Sequence, residues 1–178
     1  MLAMIAVNGV FAAYELALAS TTLGRLHRLA QERRRGARIA LYMKRNVEAS
    51  LAVVQLGITL VGAIAAAVGG AGAEESLAPA LVQRFGMSER LAEVSAIALV
   101  VAPLTAVMIV FGELIPKVFA LRNSEWVCLT LSPVMRAFSL TVWPAVWLFE
   151  TIVSAIVGLS ERLWRGEGRA VSERPELQ

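Results

Sequence analysis

The sequence predicts an all-α membrane protein: three transmembrane helices followed by juxtamembrane helices at the membrane surface. Three observations carry that prediction. The 178-residue chain is 57% hydrophobic with a mean hydropathy of +0.65, above the roughly 45–50% apolar content of soluble domains. Its apolar residues gather into runs that reach the roughly 20 residues a membrane crossing requires. The connections between those runs differ in charge, the first basic and the second acidic.

The first span is expected over about 1–23. It lacks the basic start of a cleaved signal and carries Asn8 and Glu15, so it reads as a helix rather than a leader. Arg25, Arg28, Arg33, Arg34, Arg35, Arg38, Lys44 and Arg45 follow. Short loops this rich in arginine and lysine stay in the cytoplasm. The second span is expected over about 47–68. The connection after it holds Glu74, Glu75, Glu89 and Glu93 against Arg84 and Arg90 and is placed outside. Its Gly-Gly-Ala-Gly opening is a turn signal, and Glu75 to Phe85 fits a short amphipathic helix. The third span is expected over about 94–121. Together these put the N-terminus outside a multi-pass protein of the cell membrane, with Lys117 and Arg122 at the inner surface.

Residues 127–163 admit two readings. They are apolar but interrupted by Pro133 and Pro144, with Trp143, Trp147 and Trp164 as interfacial anchors. One reading is a fourth span over about Leu140–Leu159. The other is a pair of amphipathic helices along the inner face. Residues 1–164 then form one transmembrane domain, and the polar tail over 165–178 starts a linker.

Several function classes fall away. There is no Walker loop, GxSxG or HExxH motif, and no aspartate, so no enzyme is expected. The arginines lie between two spans without base-stacking aromatics, which argues against nucleic acid. Cys128 is the lone cysteine and His27 the lone histidine, so neither a disulfide nor a Cys/His metal site is expected.

The chemistry concentrates in Gly112-Glu113-Leu114-Ile115-Pro116-Lys117. A charge at the bilayer centre costs roughly 2.5–3.5 kcal/mol on insertion scales and usually marks function. Pro116 has no N–H for the carbonyl four residues back, that of Gly112. The segment therefore offers a carboxylate beside a freed carbonyl. At about 1.5 Å of rise per residue, Glu15, Gln55 and Glu113 fall at similar depths in the cytoplasmic half, with Ser20 lower and Thr59 higher. Asn46 and Ser50 lie at the inner mouth of the second span. An all-oxygen donor set suits Mg²⁺, Ca²⁺ or Na⁺. Plainer roles compete: Ser and Thr bond back to their own helix, Gln55 joins helices, and Lys117 mainly snorkels to the interface or pairs with Glu113.

With those motifs in view, the chain resembles the transmembrane domain of the CNNM/CorC, or hemolysin-C-like, proteins. The matching pieces are Asn8 through Glu15-Leu16-Ala17-Leu18-Ala19-Ser20 with Arg25-Leu26, then Gln55-Leu56-Gly57-Ile58-Thr59-Leu60, the Gly112–Lys117 segment and the juxtamembrane tail. The resemblance implies Mg²⁺ transport, most often as export, with Na⁺ as coupling ion. It implies a homodimer of three-span protomers in the lipid bilayer, with a belt of juxtamembrane helices. It favours the interfacial reading of 127–163. The ATP-binding regulatory domains of the family have no counterpart here, so no ATP site is carried over. Carried onto this chain, the Mg²⁺ ligands are Ser20, Glu113 and the Gly112 carbonyl, with Thr59 or Gln55 from the second span. Asn8, Glu15, Asn46, Ser50, Pro116 and Lys117 are cavity or coupling-ion candidates, and the helix break at Pro116 is where access would alternate. Some relatives carry a Gly-Asn pattern in the second span, where this chain has Ile58 and Gly62. The other reading is a membrane anchor and dimerisation module without transport of its own.

Overall fold

The computed structural model describes the backbone of residues 1–170, and side chains through residue 142 with a few beyond. Residues 171–178 of the expected polar tail, and the side chains of Trp143, Glu150 and Trp164, lie outside the described set. Every element among the described residues is helical. Three helical stretches are long and apolar enough to cross a membrane: Leu2–Ser20, Val47–Phe85 and Glu89–Arg122.

Helix α1 (Leu2–Ser20) is apolar around most of its circumference and supplies the centre of the core through Phe11, Tyr14, Ala17 and Leu18. It ends where Thr21 turns extended (φ −81°, ψ 127°). The terminal carbonyls of a helix need partners. Here the Lys44 ammonium donates to the carbonyls of Leu18 and Ala19 at 2.7 and 2.9 Å, a cation at the negative end of the helix dipole.

The basic loop folds as a helical hairpin, α2 (Leu23–Gln31) and α3 (Ala37–Arg45). Its apolar face buries Leu26, Leu29, Ala37, Ala40 and Met43 beneath α1 and leaves most of the arginines exposed. Helix α4 (Val47–Ser76) runs eight residues past its expected end. The Gly-Gly-Ala-Gly turn signal is overridden: Gly69 packs against Leu104 while Gly70 and Gly72 face open space, and alanines around them favour helix. Helix α5 (Ala78–Phe85) closes on Gly86 in the left-handed conformation (φ 64°), the usual glycine stop.

The third crossing is one stretch in three parts: α6 (Glu89–Ile109), a π turn (Val110–Leu114) and α7 (Ile115–Arg122). Pro116 does not break it. The Ile115 N–H reaches the carbonyl of Val110, five residues back, and the wider turn absorbs the missing donor of the proline. Most of this stretch is exposed, Leu99, Phe111, Ile115 and Phe119 by half or more, as expected of a surface facing lipid.

Helix α8 (Ser124–Ala170) is a single helix through Pro133 and Pro144, not the pair of helices that the interfacial reading of this segment expected. Pro133 frees the carbonyl of Leu129, and Gly36 covers it: a Cβ on Gly36 would stand 2.0 Å from that oxygen, so only glycine fits. The chain divides into two compact units, 1–139 and the remainder. In the first unit, α8 joins the core through Val127, Cys128 and Met135, with a hydroxyl pair between Tyr14 and Ser132 at 3.0 Å. In the second, α8 continues with Trp147, Leu148, Ile152 and Val157 exposed.

Candidate cation site

Spacing along α1 sets the site. Asn8 and Glu15 are seven residues apart, two turns, so they share one helix face. That face packs on the π turn and α7. Close approach there depends on glycine: a Cβ on Gly9 would come within 2.9 Å of the Pro116 ring, and one on Gly112 within 3.3 Å of the Asn8 amide nitrogen.

At the level of Glu15, carboxylates from two spans converge on one ammonium. Lys117 Nζ lies 2.7 Å from Glu113 Oε1 and 3.1 Å from Glu15 Oε2. The first is an aligned hydrogen bond, the second a charge contact. All three side chains are partly enclosed, which puts the pairs at the upper end of the roughly 0–1 kcal/mol of a surface bridge. This corrects the expectation for Lys117, which turns inward to the carboxylates instead of snorkelling.

Two turns away along α1, the Asn8 amide donates to the Gly112 carbonyl at 3.0 Å. The carbonyl that the sequence marked as free is therefore partnered by a side chain of α1. Asn8 is 4% exposed, and its Oδ1 is a buried acceptor without a donor. Such an atom carries a desolvation cost of about 1–3 kcal/mol, and a cation or water would remove it.

The remaining expected ligands are engaged locally. Ser20 is exposed, and its hydroxyl donates to the carbonyl of Leu16 at 2.6 Å. Thr59 bonds back to the carbonyl of Gln55 at 2.9 Å, and both residues are exposed on α4. No hydrogen bond or ion pair among the described residues ties either to the Glu15–Glu113 cluster. Asn46 caps α3 through the Tyr42 carbonyl, and buried Ser50 donates to the Met43 carbonyl at 2.9 Å. The geometry thus assembles Asn8, Glu15, Gly112, Glu113, Pro116 and Lys117, and leaves Ser20, Gln55, Thr59, Asn46 and Ser50 outside that cluster.

Depth reasoning placed Glu15 level with Glu113, and the i+4 spacing offered a Glu113–Lys117 pair, but neither foresaw that Lys117 also reaches Glu15. Asn8 stood out only as a polar residue inside the first span; its seven-residue spacing from Glu15 is the signal that ties it to the same face. Among the described residues no group of three His, Cys, Asp or Glu could hold a metal by itself. A hard cation here would use two carboxylates supplemented by amide, carbonyl and water oxygens.

The family model of the cyclin M transmembrane N-terminal domain matches residues 1–178. The chain belongs to this CNNM transmembrane family. A UPF0053 protein of Synechocystis is 33% identical over 156 residues, 88% of this chain and 35% of its own length. UPF0053 protein YhdT of Bacillus subtilis is 28% identical over 156 residues, 88% of this chain and 34% of that one. The polyamine export protein of Haemophilus influenzae is 28% identical over 158 residues, 88% of this chain and 36% of that one. The CNNM chain thus spans about a third of the length of the curated relatives it matches.

Proposed function

We propose that this CNNM domain transports a cation across the membrane, with Mg²⁺ as the cargo and export as the direction. One observation supports the reading above all others: two carboxylates from different spans close around a single positive charge, in a family whose relatives include an exporter. The cluster of Glu15, Glu113 and Lys117 carries a net charge of −1. When Lys117 swings away, the site carries −2, which matches one Mg²⁺ and leaves room for its waters, since Mg²⁺ usually keeps several. Glu113 and Glu15 then serve as anionic ligands. Asn8 Oδ1 supplies a neutral oxygen, and the Gly112 carbonyl becomes available if the Asn8 amide turns. Ser20 is the ligand at the basic mouth once its bond to Leu16 opens, and Gln55 or Thr59 is the contribution of α4.

On this reading the basic α2–α3 hairpin and the C-terminal part of the chain face the cytoplasm, and the N-terminus faces out. The protein works as a homodimer, Na⁺ is the coupling ion, and the domain performs no enzymatic chemistry.

The direct test uses the chain in proteoliposomes with a Mg²⁺-sensitive dye inside. Saturable Mg²⁺ flux that Glu113→Gln abolishes and Arg84→Gln leaves intact supports the proposal. Absence of flux and of saturable binding in the wild type would favour an anchoring module. A second reading, polyamine cargo, is favoured by the ammonium already seated between the carboxylates and by the name of the Haemophilus relative. It predicts flux of an alkyl diamine or triamine that Mg²⁺ inhibits only weakly.

A further inference from the structure

A second charged site lies where the third crossing gives way to α8. A pocket of about 570 Å³ opens there, lined by Arg34, Arg35 and Arg122 together with Glu125, Trp126 and the start of α8. Its charge is not neutralised from within. Glu125, the one carboxylate in the wall, is held by Arg25 at 2.8 Å. That ion pair raises the Arg25 pKa, chiefly through the hydrogen bond to Glu125. The other ion pairs among the described residues belong to Lys117, so no carboxylate among them engages Arg34, Arg35 or Arg122.

The backbone holds this arrangement in place. Gly36 lies against the Leu129 carbonyl, with no space for a Cβ. Arg33 takes the left-handed conformation at φ 56°, unfavourable for a residue with a Cβ. The Arg34 N–H folds back to the Leu29 carbonyl at 3.0 Å. The hairpin loop is thereby pinned to the start of α8, and its two arginines share a pocket with Arg122. The first turn of α8 adds the partial positive charge and free N–H groups of a helix N-terminus.

Position selects the anion. Arg122 is the last residue of a membrane-crossing stretch, which is the level of lipid headgroups. Trp126 on the rim is 62% exposed and makes an edge contact with Phe119 at 6.2 Å. Leu121 is likewise exposed. An exposed tryptophan next to membrane-facing apolar side chains is an interfacial anchor. We infer that this pocket binds the phosphate headgroup of an anionic phospholipid, with Arg34, Arg35 and Arg122 on the phosphate and Trp126 against the glycerol and upper acyl region. The site fixes the arginine hairpin, α7 and α8 to one lipid at the membrane surface.

Native mass spectrometry of the whole chain, released from micelles carrying phosphatidylglycerol and phosphatidylcholine at equal concentration, tests this. Anionic-lipid adducts should dominate in the wild type. Each of Arg34→Gln, Arg35→Gln and Arg122→Gln should lower their affinity about fivefold, the equivalent of roughly 1 kcal/mol per basic residue at a membrane surface. Arg38→Gln, outside the pocket, should not. Inorganic phosphate at millimolar concentration should displace little of the lipid. Two results would overturn the inference: equal loss from Arg38→Gln and the three pocket variants, or displacement by inorganic phosphate, which would make the ligand a free anion. Retention of the wild-type elution volume by each variant shows that a loss of lipid is not a loss of fold.

Discussion

The Asn8 side chain holds the Gly112 carbonyl at 3.0 Å across two membrane helices. Pro116 removes the backbone donor of that carbonyl and Asn8 restores one, so α1 and the π turn are joined by a polar bond in an apolar setting. Asn8→Leu keeps the branched shape and removes the donor. It strands the Gly112 carbonyl, at about 1–3 kcal/mol for a buried polar group left unpaired, but also removes the unpartnered Oδ1, so the net loss should be about 1 kcal/mol, read as a lower midpoint in detergent unfolding. Asn8→Asp should cost at least as much, because a carboxylate facing a carbonyl cannot donate. A midpoint unchanged in both variants would remove Asn8 from the joint.

Glycine at position 9 allows that contact. A Cβ there meets the Pro116 ring at 2.9 Å, so Gly9→Ala must part α1 from α7. The expected loss is about 1–3 kcal/mol, as for other overpacked interiors. A Cβ on Gly62 would meet nothing within 4 Å, so Gly62→Ala should be neutral or stabilise by up to about 1 kcal/mol through helix propensity. Thermal midpoints of the two variants beside the wild type check both signs.

Much of the architecture was legible because apolar run length is a strong membrane signal. The three crossings needed only composition and charge distribution. What escaped was local. The glycines near position 70 read as a turn, yet α4 carries through them because helix neighbours on both sides outweigh single-residue preference. Pro116, Pro133 and Pro144 read as breaks, but helix runs through all three. At Pro116 the freed Gly112 carbonyl is taken by Asn8, a residue of another helix. Such a partner is distant in sequence, so no window reveals it. Glu15 and Glu113 were visible as charges inside spans. The turn of Lys117 toward both depends on α1 lying against α7, which is a packing result.

Lys117 is an internal counter-ion to Glu15 and Glu113, and its loss separates stability from cargo binding. Lys117→Met leaves two carboxylates facing each other without a cation. In metal-free buffer the variant should melt earlier than the wild type. Added Mg²⁺ should restore it, because a ligand of the folded state stabilises by mass action. Removing a competing contact of about 1 kcal/mol should tighten Mg²⁺ about fivefold. Calorimetric titration of wild type and variant measures this. Weaker Mg²⁺ binding in Lys117→Met would show that the lysine supports the site instead of competing for it.

Cys128 reports on the seating of α8 under α1. Its thiol is fully buried, and burial pushes its pKa up to about 11, with Ser132 and Thr21 opposing as hydrogen-bond partners. The thiolate is the reactive form, and at pH 8 it makes up about 0.1% of a thiol with that pKa. The folded protein should therefore resist maleimide at pH 8 for hours, while the unfolded chain, with an ordinary thiol near about 8.5, should label within minutes. Tyr14→Phe removes the hydroxyl that meets Ser132 at 3.0 Å and should loosen this seat, raising the labelling rate without changing the total labelled after unfolding. Mass spectrometry of timed, quenched samples measures both rates. Rapid labelling of the folded wild type would mean that α8 leaves the core in solution.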